Sequence, residues 1–276
     1  MTTRFTIAVL VCFSCCSLAG CGGDAGQEPP RLTDDVDWAV RIVFAGEHYC
    51  SGFVLSEHWL LTAGHCVEEA LPDERVEVSQ QVFGDRRVLY DGNAELILHP
   101  DYVSSAVLTH RWNDVALVGL REGVVDADER ARLAGLGCSC VDEDDGQAQG
   151  NLYAVGYGHE PDPDTGLCSD VLGSKKRYDG FVFRQVLGPL VDDPRAVELY
   201  GREDALCGGD SGAPLMFDRD GIPHAFAVFS GNALMRPIFY GSLIGPKISW
   251  LDEATGLTDM PLHCVDFGGD SWACFE

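Results

Sequence analysis

Short apolar runs with alternating polarity recur from Val36 onward. In "AVRIVFA", Val40, Ile42 and Phe44 alternate with Arg41 and Val43, the period of two expected of a strand with one buried face. Runs of the same kind follow: "WLLT", "RVEV", "RVLY", "AELIL", "VALVGL", "LYAVGYG", "FVFRQV", "APLMF" and "HAFAVFS", with turn residues between them. Many short strands punctuated in this way predict an all-β chain folded as a sandwich or barrel. The stretch from Val125 to Gly150 is polar and acidic and lacks the strand period, so it reads as the connection between two halves. Near the end, Ile248 and Leu251 stand at helical spacing with Gly256 as a stop, which predicts a short C-terminal helix.

The beginning of the chain departs from this pattern. Arg4 precedes an apolar run, Ile7 to Phe13, that is too short to cross a bilayer as a permanent helix. Residues 1–20 therefore read as an export signal. The run ends in Leu18-Ala19-Gly20-Cys21, which resembles a bacterial lipobox. That resemblance implies a lipid on Cys21, an anchored rather than spanning protein, and a place in the bacterial cell envelope. Gly22, standing where an Asp would retain a lipoprotein at the inner membrane, favours the outer membrane. The alternative is an ordinary signal peptide with an incidental Cys, and a periplasmic or extracellular protein. Residues 21–36 form a polar tether.

The chain has 276 residues, 46% of them hydrophobic, enough for one large domain or two smaller ones sharing a cleft. Its 19 basic and 44 acidic residues leave a net charge of −25, which argues against nucleic acid or anionic lipid as a ligand. Of the 12 cysteines, Cys12, Cys15 and Cys16 leave with the signal and Cys21 would carry lipid. The rest form an even set in an exported chain, which reads as disulfides. Cys138-x-Cys140 is the closest approach to a metal motif and lacks a matching partner, so neither metal nor cofactor is expected.

Three stretches carry chemistry. "LTAGHC" contains His65, "NDVALVGL" contains Asp114, and "CGGDSGAPL" contains Ser211 between Gly209 and Gly212. A serine hydroxyl is a weak nucleophile that needs an adjacent base, and the base needs an orienting acceptor. Glycines around Ser211 allow a sharp turn whose N–H groups can meet a developing oxyanion. In the order His, Asp, Ser, these motifs resemble the chymotrypsin/trypsin-like serine proteases. "YCSGFVLSEHWLLTAGHC", "HPDY" and "VGYGHE" extend the resemblance over roughly Asp37 to Gly256.

The resemblance implies two antiparallel β-barrels packed together, residues 37–130 and 131–256, with the active site in the cleft between them and a Cys-containing tail at 257–276. It implies a serine endopeptidase acting on a protein or peptide substrate through an acyl-enzyme. Ser211 would attack the scissile carbonyl, His65 would act as base and then acid, and Asp114 would hold the imidazole. The amides of Gly209 and Ser211 would form the oxyanion hole. A non-catalytic binding lipoprotein on the same fold and an esterase using the same triad are the competing readings. The order of the triad excludes a subtilisin-like enzyme, and Ala213 breaks the GxSxG elbow of α/β-hydrolases. "DFG" at 266–268, "GGDSW" at 268–272 and "VDEDDG" at 141–146 lack the surroundings that a kinase, nucleophile or calcium loop requires.

By the same resemblance, Cys50 and Cys66 pair. Cys264–Cys274 is a plausible local bridge, leaving Cys138, Cys140, Cys168 and Cys207 to tie the middle loops to the pocket side. The pocket floor falls on Ala205, or on Asp204 if the alignment shifts by one, and the opposite wall on Ser230 and Gly231. Arg41-Ile42-Val43 looks like the family's activating cleavage site, at which a new Ile terminus pairs with the Asp before the nucleophile, here Asp210. Yet Ile42 lies close to Cys50 and inside an alternating run, so it reads as barrel core. Arg31-Leu32 also lies too close to serve, and a lipidated Cys21 terminus would be blocked. Asp210 is therefore expected to find an internal cation or hydrogen-bond donor, without a cut at Arg41.

Overall fold

The structure, a computed structural model, describes residues 31–257 except 33–35, 47, 69, 71–72, 83, 105–110, 124–129, 137–151, 160–167, 169–172, 188–195, 202–205, 220 and 234–236, together with 263–265. The export signal, Cys21, Asp204, Ala205, Cys138, Cys140 and Cys274 lie outside the described residues.

After β1 (Arg31–Leu32), six strands form a closed barrel. They are β2 (Ala39–Phe44), β3 (His48–Val54), β4 (Trp59–Thr62), β5 (Arg75–Val82), β6 (Asp85–Leu98) and β7 (Ala116–Leu120), arranged β2-β3-β4-β7-β6-β5. Beyond β8 (Ala134–Leu136) come β9 (Leu152–Gly156), β10 (Lys176–Leu187), β11 (Ala196–Tyr200), β12 (Pro214–Arg219), β13 (Ile222–Asn232) and β14 (Ile238–Leu243). These run in the order β10-β11-β14-β13-β12-β9, and the pairing of β9 with β10 closes the second barrel. Every pairing within the two barrels is antiparallel. Helix α1 (Ile248–Thr255) follows, and then β15 (His263–Val265), which lies parallel to β8.

The alternation at Val40, Ile42 and Phe44 has the expected cause. All three are buried in the first barrel's core, whereas Arg41 and Val43 are half-buried. Ile42 pairs with Cys50 on one side and Val78 on the other, so a break at Arg41 would cut a strand bonded along both edges. Helix α1 buries Leu251 and ends at Gly256 in the left-handed conformation, as its pattern predicted. It docks on the first barrel, where the Trp250 ring lies 4.7 Å from that of His99.

The sequence pattern misjudged three places. "RVLY" and "AELIL" belong to one long strand, β6. The intervening Asp91-Gly92-Asn93 looks like a turn, but it pairs in register with Glu77, Val76 and Arg75. A two-point ion pair from Arg75 to Asp91, at 2.8 and 2.7 Å, helps to hold it there. Within the supposed connection, β8 forms and pairs with β15 from the supposed tail. Arg31 and Leu32 of the supposed tether pair with Arg177 and Lys176 as an added strand on β10.

Ile42→Ala should cost about 2–5 kcal/mol by removing packed core volume, and Val43→Ala well under half of that. Urea unfolding of the two variants checks the assignment. Equal losses would place the buried face wrongly.

Candidate active site

The imidazole comes from the first barrel. Strand β4 runs into a short 3-10 turn, Gly64–Cys66, which carries His65 at the barrel rim. Asp114 lies just before β7, where Asn113 turns the backbone through a positive φ of 50°. Asn tolerates that region better than most residues, and its side chain is held by the Asp101 carbonyl at 3.1 Å. The turn aims Asp114 at His65 with both oxygens. Oδ1 accepts the His65 backbone N–H at 2.8 Å, and Oδ2 lies 2.8 Å from Nδ1. Ser230, from β13 of the second barrel, donates its hydroxyl to the same Oδ2.

Asp114 is fully buried, and burial alone would raise its pKa. The hydrogen bond from the His65 ring, that side chain's charge and the Ser230 hydroxyl outweigh burial and hold the carboxyl below its usual range. A carboxylate fixed at Nδ1 stabilises a protonated imidazole and orients the ring.

The hydroxyl comes from the second barrel. Residues 207–213 form a tight turn in which Asp210 N–H reaches Cys207 O at 3.1 Å and Ala213 N–H reaches Asp210 O at 2.9 Å. Gly209 and Gly212 have φ of +90° and +87°, a conformation that other residues rarely adopt. Close packing also demands glycine at both. A methyl group on Gly209 would meet the Tyr49 ring at 2.2 Å, and one on Gly212 would meet Ser51 O at 2.1 Å.

The turn is fastened to the first barrel at Ser51. Ser51 N–H donates to Ser211 O at 2.8 Å, and Ser51 Oγ donates to Gly209 O at 2.9 Å. Ser51 Oγ also receives Tyr157 N–H at 2.9 Å, and Thr62 Oγ1 donates to Ser51 O at 2.7 Å. Gly212 thus lies against Thr62 and Ala63, directly before Gly64 and His65. In this way the barrel interface sets the Ser211 backbone beside the segment that carries His65, with Ser211 O 3.9 Å from Cys66 Sγ. The Gly208 carbonyl is taken by His159 N–H at 2.8 Å, so across the trans peptide the Gly209 N–H points the opposite way.

Asp210 is completely buried. Oδ1 accepts Gly158 N–H at 2.7 Å, and Oδ2 accepts Cys207 N–H at 2.9 Å and the Tyr178 hydroxyl at 3.1 Å. Burial pushes its pKa up to about 6, against the pull of these three donors and the charge of Lys176. The expected internal donors are therefore present at the carboxylate.

Cys50–Cys66 is a disulfide, as the resemblance implied, and Cys168–Cys207 is a second one that fastens the turn's first residue. His48, Cys50 and Cys66 bring three metal-ligand atoms within 4.8 Å of one another, but both sulfurs are already bonded to each other. Of the pocket residues, Asp204 and Ala205 lie outside the described residues. Ser230 is buried with its hydroxyl donated to Asp114, so that hydroxyl is engaged in the His65–Asp114 arrangement and does not line a pocket. Gly231 follows it, and Arg111 Nη1 stands 4.0 Å from where a Cβ on Gly231 would be.

With this geometry in view, the comparisons are specific. The trypsin family model matches residues 25–233. The chain belongs to the trypsin family. It is 25% identical to a vitellin-degrading protease of Bombyx mori, covering 90% of this chain and 94% of the relative. It is 25% identical to a trypsin of Phaedon cochleariae, covering 80% and 84%. Human kallikrein-7 is 26% identical over 65% of this chain and 66% of its own length. The solved structure of mouse neuropsin, a serine protease expressed in the limbic system, superposes with a TM-score of 0.60 at 19% identity, covering 82% of this chain and 98% of that one, and so shares the fold.

Sequence reasoning missed Ser51, Thr62, Tyr157 and Tyr178, which hold the site without touching its reacting atoms. Ser51 and Thr62 lie in the Tyr49–Cys66 stretch and Tyr157 in "VGYGHE", both of which carry the resemblance, whereas Tyr178 lies in neither.

Ser230→Ala should destabilise the protein at neutral pH by about 1.5–3 kcal/mol, the range for a hydrogen bond to a buried charge. The Asp114 contribution belongs to a carboxyl with a lowered pKa, so it is present above the ordinary value of 3.8 and lost as pH falls through the folded value. Urea unfolding at pH 7 and pH 3 should therefore show a gap between variant and wild type that narrows in acid. An equal gap at both pH values would contradict the arrangement.

Proposed function

We propose that this trypsin-family chain is an exported serine endopeptidase. Ser211 is the nucleophile, His65 the general base and then acid, and Asp114 the residue that orients and stabilises the imidazolium. The amides of Gly209 and Ser211 receive the oxyanion. The observation that carries this reading is the two-point contact of Asp114 with His65, opposite a glycine turn that Ser51 fastens to the same barrel. Both parts are what acyl transfer by serine requires, an oriented base and a nucleophile on a rigid turn.

The substrate is a protein or peptide, in keeping with the proteases among its relatives. We place the two halves at 37–130 and 131–256, with 257–276 as a Cys-containing tail that returns to β8 through β15. Export is supported by the two disulfides, which belong to an oxidising compartment. The lipobox-like Leu18-Ala19-Gly20-Cys21 supports a bacterial lipoprotein held to the envelope through Cys21.

A fluorophosphonate probe should label the wild type and leave Ser211→Ala unlabelled. His65→Ala should label about a thousandfold more slowly or worse. Labelling of Ser211→Ala at the wild-type rate would refute the assignment. A random peptide library should then be cut, whereas turnover of small esters alone would favour the esterase reading. In a bacterial host, Cys21→Ala should move the protein from the membrane fraction to the soluble fraction. An unchanged distribution would remove the lipid anchor.

A further inference from the structure

We propose that Tyr178 is a positioning residue for the nucleophile turn. Its hydroxyl, together with the amides of Gly158 and Cys207, holds Asp210 so that the turn is ordered in the uncut chain. This rests on the peptidase reading and names how that site is assembled.

The Asp210 carboxylate offers about four lone-pair sites. Three of them face donors at 2.7, 2.9 and 3.1 Å. The backbone closes around the remainder. A methyl group on Gly156 would lie 2.1 Å from Oδ1, and one on Gly158 would lie 2.1 Å from Oδ2. These glycines let the backbone pack directly against both carboxylate oxygens. The natural candidate for a newly cut chain terminus, Ile42, is locked in β2 between β3 and β5.

Tyr178 is suited to the task by its rigidity. It is 2% exposed, and it stands on β10 in register with Ala154 of β9, the strand that leads to Gly156 and Gly158. Two of the three donors therefore come from neighbouring parts of the same barrel, Tyr178 from β10 and Gly158 from just beyond the end of β9. The third, Cys207, is tied down by its bridge to Cys168. Asp210 joins these fixed points to Ser211, its neighbour in the chain. Removing the phenol oxygen leaves a buried carboxylate one donor short, which is costly.

Among the described residues, two further titratable groups bear on Asp210. Lys176, on the same strand as Tyr178, acts on it through its charge. Tyr49 feels the charge of Asp210 across the Gly209 backbone. The Tyr49 ring in turn stacks on His159 at 5.5 Å and lies 5.2 Å from the Arg41 guanidinium. None of these changes in Tyr178→Phe, so the substitution isolates the hydroxyl.

Tyr178→Phe keeps the ring and should stay folded, as a melting curve will verify. Fluorophosphonate labelling should slow at least tenfold. Because a donor to the charged form is lost, the acid limb of its pH profile should move up by about one pH unit. Hydrogen exchange across residues 206–212 should quicken, a readout that needs no activity. Intact-mass and terminal sequencing of labelled wild type should find the Arg41–Ile42 bond unbroken. An unchanged limb and unchanged exchange in Tyr178→Phe would overturn the proposal, even if labelling slowed. A labelled species beginning at Ile42 would also overturn it. A wild type that cannot be labelled would sink the peptidase reading instead, and the exchange experiment would still judge Tyr178.

Discussion

A buried carboxylate organises this protein's site. Asp210 sits at zero exposure beside Ser211, and a charge there costs several kcal/mol unless donors surround it. The chain supplies three, and each comes from a part of the second barrel with little freedom. These bonds tie the turn that carries Ser211 to the second barrel at Asp210. The carbonyls of Gly208 and Asp210 are taken by the amides of His159 and Ala213, and the peptide planes that carry the Gly209 and Ser211 N–H groups are fixed with them. The direction of the amides proposed for the oxyanion follows from this fixing.

The remaining requirement is that two barrels meet correctly. His65 and Asp114 come from the first and Ser211 from the second, with Ser230 of the second reaching back to Asp114. The seam beside the site is hydrogen-bonded through both backbone and side chains. Ser51 is buried, and it binds the nucleophile turn through both its amide and its hydroxyl. Gly212 lets the turn approach Ser51 and Thr62 at distances no side chain would permit. A substitution that loosened this contact would separate the proposed base from the proposed nucleophile without touching either.

Local pattern revealed much of this and stopped where contacts became distant in sequence. The alternation at Val40, Ile42 and Phe44 was enough to place Ile42 in the core. The spacing of Ile248, Leu251 and Gly256 found helix α1. Strands β11 and β14 had no clean period because nearly all their residues are buried on both faces. The break between "RVLY" and "AELIL" was false because a strand partner, absent from any local window, holds Asp91 to Asn93 extended. Within the site, the three motifs pointed to His65, Asp114 and Ser211, and nothing local pointed to Tyr178. Its neighbours Arg177 and Asp179 pair with each other at 2.7 Å, an ordinary surface of charges that hides the inward phenol between them. The dual role of Ser230 was likewise invisible, because its tie to Asp114 spans 116 positions of sequence.

The most direct measurement is a crystal structure of the protein at pH 8 with a peptide boronic acid. The account expects boron bonded to Ser211 Oγ, an oxygen of the adduct held by the amides of Gly209 and Ser211, and Asp210 still bound by Tyr178, Gly158 and Cys207 in a chain intact at Arg41. An adduct formed only after Asp210 had exchanged those donors for a cut chain terminus would contradict it.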